Sequence, residues 1–154
     1  MNVPPPSSDE IREEMVIEAT PEHVRSCILS PHGILQYYPL GIEAEHFEPG
    51  ESFYCKGKLG ISLFQVLCAD ADYVLLNVHN ATSCERPYTA AGIKDAAFFS
   101  MLEDWYLEPD PKGTKLTRLW RGFRHRRLLG PAVRFMVGVA AKLEARAIRR
   151  YWAE

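Results

Sequence analysis

The sequence has no apolar run that approaches the roughly 20 residues a membrane-spanning helix needs. Its first residues also lack the basic start and the apolar segment of a secretory signal. Stable insertion into a membrane is therefore not expected. The four cysteines lie far apart in the sequence. Without an export signal, the simpler expectation is reduced thiols in a cytoplasmic protein.

Motifs for bound metals and nucleotides are missing as well. No two of the five histidines are three or four residues apart, the spacing by which one helix presents two metal ligands. There is no glycine-rich phosphate loop. We therefore predict no metal site and no other cofactor. No Ser-His-Asp or Cys-His arrangement can be read from the spacing either.

What the chain does have is an uneven distribution of charge. The net charge is −2, yet residues 112–154 contain twelve basic and only two acidic residues. A basic segment can contact nucleic acid or anionic lipid, or lie against acidic parts of the same chain. Because these basic residues alternate with core-like Leu, Val, Phe and Trp, we favour the internal explanation and expect no nucleic acid partner. A cluster of Arg124, Arg126 and Arg127 could make only weak contact with a membrane.

The length of 154 residues and the hydrophobic share of 47% fit one domain. Residues 1–10, rich in Pro and Ser, are predicted to be a disordered lead, and residues 11–154 a single domain. Alternating apolar residues predict a first strand over 11–19, and Thr20 with Pro21 then predicts the start of a helix. The later pattern predicts a second short helix at 34–38, strands at 42–47, 52–58, 61–68 and 73–80, and a long loop at 81–95.

A hairpin over residues 98–124 is the clearest local signal, with its turn at 109–113. If Leu107 faces Leu116, then Trp105 lies opposite Arg118 and Glu103 lies opposite Trp120. One face then holds Phe99, Met101, Glu103, Trp105, Leu107, Leu116, Arg118 and Trp120. A slip of one residue would reverse every side chain on one strand, so the pairing decides where the two charges point.

From Pro131 the pattern becomes helical, with about 21 residues and a length near 30 Å. Its inward stripe at three- and four-residue steps is Val133, Val137, Ala140, Ala141, Glu144, Ile148 and Tyr151. Strands in a run with the helices segregated predict an α+β fold. We expect a curved antiparallel sheet of about six to seven strands wrapped around this long C-terminal helix, with two short helices after the first strand.

Three stretches of this chain resemble the START-like superfamily, also called SRPBCC or Bet v 1-like. Residues 17–24 (IEATPEHV) are similar to the first strand and capped helix of that family, and residues 105–109 (WYLEP) and 113–117 (GTKLT) are similar to its penultimate hairpin. The resemblance covers roughly residues 11–152. It implies the helix-grip fold and a cavity between sheet and last helix that, in this family, commonly holds lipids, sterols, polyketides or plant hormones.

We therefore predict binding of a hydrophobic small molecule in that cavity. The predicted ligand contacts are Tyr37, Tyr38, Phe64, Phe99, Met101, Trp105, Trp120, Val137 and Ala141. One alternative is a polyketide cyclase or dehydratase, and another is a protein-interaction or co-chaperone-like module that uses the basic C-terminal third. The sequence does not indicate an oligomeric state.

Glu103 and Arg118 are the candidate catalytic residues, because both are charged and lie on otherwise apolar strand faces. A carboxylate in a dry cavity has a raised pKa, and a neighbouring guanidinium lowers it again. Such a pair could polarise a carbonyl group or move a proton. The alternative explanation is a structural ion pair.

Overall fold

The computed structural model describes residues 2–28, 49–50, 52–57, 60–125 and 128–153. The predicted helix at 34–38 and strand at 42–47 lie outside these residues. The strands and helices follow one another in this order: β1 Ile11–Ile17, α1 Pro21–Ile28, β2 Ser52–Gly57, β3 Gly60–Ala69, β4 Tyr73–Ala81, α2 Ala90–Ala96, β5 Phe99–Asp110, β6 Gly113–His125 and α3 Gly130–Ala153.

One curved antiparallel sheet contains the six strands of the described residues, in the order β1-β6-β5-β4-β3-β2. Strands β2 to β6 follow one another as hairpin neighbours, whereas β1 pairs with β6, so that Ile11 lies opposite Trp120. The sheet therefore joins an early strand to a much later one. The predicted α+β architecture is confirmed.

Local signals explain where the first elements begin and end. The backbone N–H of His23 donates to Thr20 Oγ1 at 3.3 Å, so Thr20 caps α1 as predicted. Met15 and Ile17 are buried while Val16 between them is 47% exposed, which confirms the predicted alternation in β1. Pro4, which precedes β1, accepts a hydrogen bond on its carbonyl oxygen from the Arg12 side chain of β1 at 2.7 Å. The disorder of residues 1–10 remains a prediction, although Pro4 has this contact with the sheet.

The prediction of an unbroken loop over 81–95 is wrong, because residues 90–96 form α2. Thr89 caps this helix by accepting a hydrogen bond from the backbone N–H of Gly92 at 3.0 Å. Ile93 is fully buried and packs with Ile61 and Leu63 on the outer face of the sheet. A single buried residue in seven gives no helical periodicity, and this is why the pattern did not indicate a helix.

The long helix α3 lies over the β1–β6 side of the sheet. Its buried residues are Val133, Val137, Ala141, Ala145 and Ile148, which pack with the inner face of the sheet in one apolar core. No helix in the described part of the chain is both long and apolar enough to cross a membrane.

Replacing Gly138 by alanine is expected to raise the free energy of unfolding by about 0.5–1 kcal/mol. Gly138 lies inside α3, and a methyl group there would meet no atom within 4 Å. Urea denaturation of both proteins measures the change. Gly113→Ala is the contrasting variant, since Gly113 has φ +139° and an added Cβ would overlap the carbonyl oxygen of Ile17. It should destabilise the fold. Equal effects of both substitutions would contradict this prediction.

Candidate functional site

The β5–β6 hairpin places four side chains of the candidate site next to one another. Trp105 lies opposite Arg118, and Glu103 lies opposite Trp120. The predicted register is therefore confirmed. All four side chains are buried and point to the inner face, towards α3.

Arg118 lies between two indole rings. Its guanidinium carbon is 3.9 Å from the ring centroid of Trp105 and 4.5 Å from that of Trp120. Both distances are in the range of cation–π attraction, which is stronger where water is excluded. Arg118 is fully buried, so the two rings hold the guanidinium in place within the apolar core.

Two carboxylates approach the same guanidinium nitrogen. Arg118 Nη2 is hydrogen-bonded to Glu103 Oε1, and it donates to Glu144 Oε2 at 2.8 Å. Glu144 belongs to α3, whereas its two partners belong to the sheet. We call Glu103, Arg118 and Glu144 the inner charge cluster. It is a polar link between helix and sheet.

Burial raises the pKa of Glu144 to about 7. The guanidinium of Arg118 opposes this shift, and the negative charge of Glu103 adds to it. With both carboxylates ionised the inner charge cluster has one excess negative charge. Near neutral pH it therefore exchanges one proton, at Glu144.

Exposure distinguishes the three members of the cluster. The side chains of Arg118 and Glu103 are 0% and 1% exposed, while that of Glu144 is 15% exposed. Glu144 is thus the member that a bound molecule could touch first. The other two lie behind it and fix its position.

Glu144 was not among the predicted site residues, although the sequence contains a signal for it. It falls on the apolar stripe of the helix, between Ala141 and Ile148, where a charge is unexpected. It is also one of only two acidic residues in 112–154. An acid on the buried stripe of a basic helix indicates a partner in the interior.

The structure brings most of the predicted ligand contacts together. Seven of them are buried in one apolar core around the inner charge cluster: Phe64, Phe99, Met101, Trp105, Trp120, Val137 and Ala141. Their role in ligand binding remains a prediction. Tyr37, Tyr38, Arg126 and Arg127 lie outside the described residues. Arg124 is exposed near the end of β6, at a different place from the inner charge cluster.

A second buried carboxylate lies on the outer face of the sheet. Asp104 is fully buried and accepts hydrogen bonds from the Tyr73 hydroxyl at 2.5 Å and from Arg121 Nε at 2.7 Å. Burial, followed by the hydrogen bond to Asp104, raises the pKa of Tyr73. This tyrosine is therefore a fixed hydrogen-bond donor, and the group has the properties of a structural anchor between β4, β5 and β6.

Asp104→Asn is expected to lower the free energy of unfolding by about 2 kcal/mol, because hydrogen bonds to a charged group are lost while the partners stay in place. Chemical denaturation measures this value. Asp95→Asn is the matched control, since Asp95 is exposed and should change stability by less than about 0.5 kcal/mol. If the two variants were equally stable, the anchoring role of Asp104 would be wrong.

Among the residues that the structure describes, no group of three or more His, Cys, Asp or Glu side chains could hold a metal ion. The inner charge cluster itself combines a carboxyl of raised pKa with a buried guanidinium.

Comparison with solved structures identifies the architecture. DynU16, a protein of the dynemicin biosynthetic locus, matches with a TM-score of 0.66 at 14% identity, over 94% of this chain and 47% of that one. The Aha1 dimer from Colwellia psychrerythraea matches with a TM-score of 0.63 at 13% identity, over 93% and 92% of the two chains. The chain has the helix-grip fold.

A further helix-grip neighbour is CalU16 from Micromonospora echinospora, with a TM-score of 0.62 and 13% identity over 92% of this chain and 73% of that one. No family model and no curated protein matches the chain. At these identities the neighbours share the fold, and the function has to be argued from the site.

Proposed function

We propose that this helix-grip protein binds a hydrophobic small molecule between the sheet and α3, and that Glu144 is the polar contact of that molecule. The observation that carries the proposal is the inner charge cluster, a proton-exchanging carboxyl backed by a buried guanidinium inside an apolar core. The resemblance to the START-like superfamily, and the DynU16 and CalU16 neighbours, support it.

The energetics favour a functional over a structural role for these charges. Taking ions out of water costs several kcal/mol for each, and apolar residues of the same size often serve stability equally well. Three such groups in the core of a small domain are therefore poorly explained by stability alone. Their arrangement is well suited to presenting one hydrogen-bonding group to an otherwise apolar ligand.

The pKa of Glu144 indicates what that ligand carries. Below about pH 7 the carboxyl is protonated and donates a hydrogen bond, which suits a carbonyl or hydroxyl oxygen. Trp105 and Trp120 are fixed against Arg118 on the same face, and aromatic walls of this kind suit a flat ligand. The substrate class that fits is a flat, mostly apolar molecule with a ketone or a phenolic group.

The direct test is to extract purified protein with organic solvent and identify the released molecules by mass spectrometry. Titration with a matched pair, 2-acetylnaphthalene and 2-ethylnaphthalene, then isolates the polar contact. We expect saturable binding at one ligand per chain, with the ketone favoured about tenfold at pH 6 because a buried hydrogen bond contributes about 1–3 kcal/mol.

Glu144→Leu should remove the preference for the ketone and leave binding of the hydrocarbon in place. Phe135→Ala is the control, because Phe135 is 74% exposed on α3 and should not change either affinity. Absence of any extracted molecule, together with no saturable binding of either probe, would falsify the proposal.

A second candidate function is acid–base catalysis of a cyclase or dehydratase type. The specific observation in its favour is the same pKa of about 7, since a general acid or base works best when its pKa is near the working pH. In this mechanism Glu144 transfers the proton, and the buried Arg118 and Glu103 behind it are positioning residues that hold its carboxyl in place.

The two functions are distinguished by the fate of the ligand. If the protein is only a binder, a poly-β-ketone is recovered unchanged after incubation. If it is an enzyme, the recovered molecule has lost water or gained a ring, and Glu144→Gln lowers the rate about 100-fold or more while the ligand still binds. Equal rates in the variant and the parent protein would exclude Glu144 as the proton-transfer group.

A further inference from the structure

A pocket of about 320 Å³ lies away from the inner charge cluster and shares no residue with it. Its lining contains four basic side chains, His79, Lys94, Arg124 and His125, and no carboxylate. The remaining lining is Ala97, Phe98, Phe99 and Ser100. The site is a shallow, open depression in which basic side chains stand beside an apolar wall, an arrangement that attracts anions.

The fold brings these basic residues together from separate elements. His79 lies opposite Ser100 in the β4–β5 pair, and Ser100 lies opposite Arg124 in the β5–β6 pair. The three therefore form one row across the sheet. The β5–β6 register shifts between Ser100 and Leu102, and bulges of this kind redirect side chains near functional sites.

One helix lines the pocket and the start of another lies next to one of its histidines. Ile93 anchors α2 on the outer face of the sheet, and this places the next residue, Lys94, at the rim. The ring of His125 lies so close to Gly130, the first residue of α3, that a side chain there would collide with it. The first turn of α3 contains no acidic residue.

Lys94 and Arg124 are the two permanent charges of the pocket. Neither the ammonium of Lys94 nor the guanidinium of Arg124 has a hydrogen bond or ion pair with any of the residues that the structure describes. Partial burial, followed by the charge of Lys94, lowers the pKa of His79.

We propose that this pocket binds the anionic group, a phosphate or carboxylate, of a small molecule whose apolar part lies against Phe98 and Phe99. The two phenyl rings are in edge contact with a centroid distance of 4.9 Å and form one wall. Arg124 and Lys94 supply the charge, and His79, His125 and Ser100 supply further donors. The basic residues of the pocket are not members of the inner charge cluster, so the inference does not rest on the proposed function, and Phe99 is the lining residue that is also buried in the apolar core.

Four probes test the chemistry of the site: phenyl phosphate, benzoate, inorganic phosphate and phenol. We expect phenyl phosphate and benzoate to bind saturably, each at least fivefold tighter than the uncharged phenol. Inorganic phosphate, which lacks the apolar part, should bind more weakly than phenyl phosphate. In NMR spectra the pKa of His79 should rise when phenyl phosphate is added, because a bound anion favours the imidazolium.

Lys94→Ala and Arg124→Ala should each lower the affinity for phenyl phosphate about fivefold, which is typical of one exposed charge contact. The loss of affinity should be smaller at high salt. Lys112→Ala is the matched control, since Lys112 is an exposed lysine in the β5–β6 turn and does not line the pocket. All three residues are exposed, so the variants should keep the parent thermal stability.

Two results would overturn the inference. One is that the NMR signals of His79, Ser100 and His125 show no saturable shift when any of the anions is added. The other is an equal loss of affinity in Lys112→Ala, which would mean that the anions respond only to the general charge of the protein.

Discussion

Replacing Arg118 by methionine is expected to lower the free energy of unfolding by about 3–5 kcal/mol, the cost of leaving buried carboxylates without their cation. Glu103 and Glu144 both contact the same guanidinium nitrogen. Methionine fills similar space and still packs between Trp105 and Trp120, so the loss is mostly electrostatic. Urea denaturation at pH 7 measures it, and a domain with the usual 5–15 kcal/mol of stability remains folded enough to be studied.

The combined variant Glu103→Leu, Arg118→Met and Glu144→Leu is the matched control. Because it removes all three charges and leaves apolar side chains of similar size, its stability should return to within about 1 kcal/mol of the parent protein or exceed it. The preference for 2-acetylnaphthalene over 2-ethylnaphthalene, in contrast, should be lost. A single Arg118→Met variant that loses less than about 1 kcal/mol would mean that water reaches the two carboxylates.

Replacing Glu144 by glutamine is expected to make the protein more stable above pH 7 by about 3–4 kcal/mol and to leave its stability unchanged near pH 4. The pKa of Glu144 is raised from 4.5 in the ordinary group to about 7 in the folded protein. As the pH rises through this interval the unfolded chain loses the proton first, so the folded state binds more protons and its stability falls. Each unit of difference between the pKa values of the folded and unfolded states corresponds to about 1.4 kcal/mol.

The measurement is a set of urea denaturation curves at pH 4, 5, 6, 7 and 8. Glutamine cannot ionise and still offers Arg118 an acceptor oxygen. The free energy of unfolding of the variant should therefore depend less on pH between pH 4.5 and 7 than that of the parent protein. Glu85→Gln, at an exposed position, should show the same pH dependence of stability as the parent protein. If Glu144→Gln also shows it, then Glu144 has an ordinary pKa, and the second candidate function loses its support.

The position of the charges on the inner face could be predicted from the sequence because the β5–β6 turn fixes the register. Once Asp110 pairs with Gly113 around a tight turn, Trp105 must lie opposite Arg118. What the sequence did not indicate is that Glu144 on the inward stripe of the helix meets Arg118. Glu144 reaches the cluster only because α3 lies over β6, and that packing is a long-range property of the fold.

The anion pocket shows a different limit of sequence-based prediction. The structure places the ring of His79 next to Gln65 and Asn77 on the outer face. Nothing in the sequence pattern connects it with Lys94, because residues 81–95 were predicted as loop. The helix α2 and the bulge at Ser100 together form the pocket, and neither has a periodic signal.

The pairing of β1 with β6 has a consequence for the order in which the protein folds during synthesis. Strands β2 to β6 can pair as each hairpin leaves the ribosome, but β1 must wait until β6 has been made. Until β6 is made, the apolar residues Met15 and Ile17 of β1 have no partner, and afterwards β6 is an open edge until β1 pairs with it. Non-local pairing of this kind slows folding. The nascent chain is therefore expected to depend most on chaperones before residues 11–17 pair with β6.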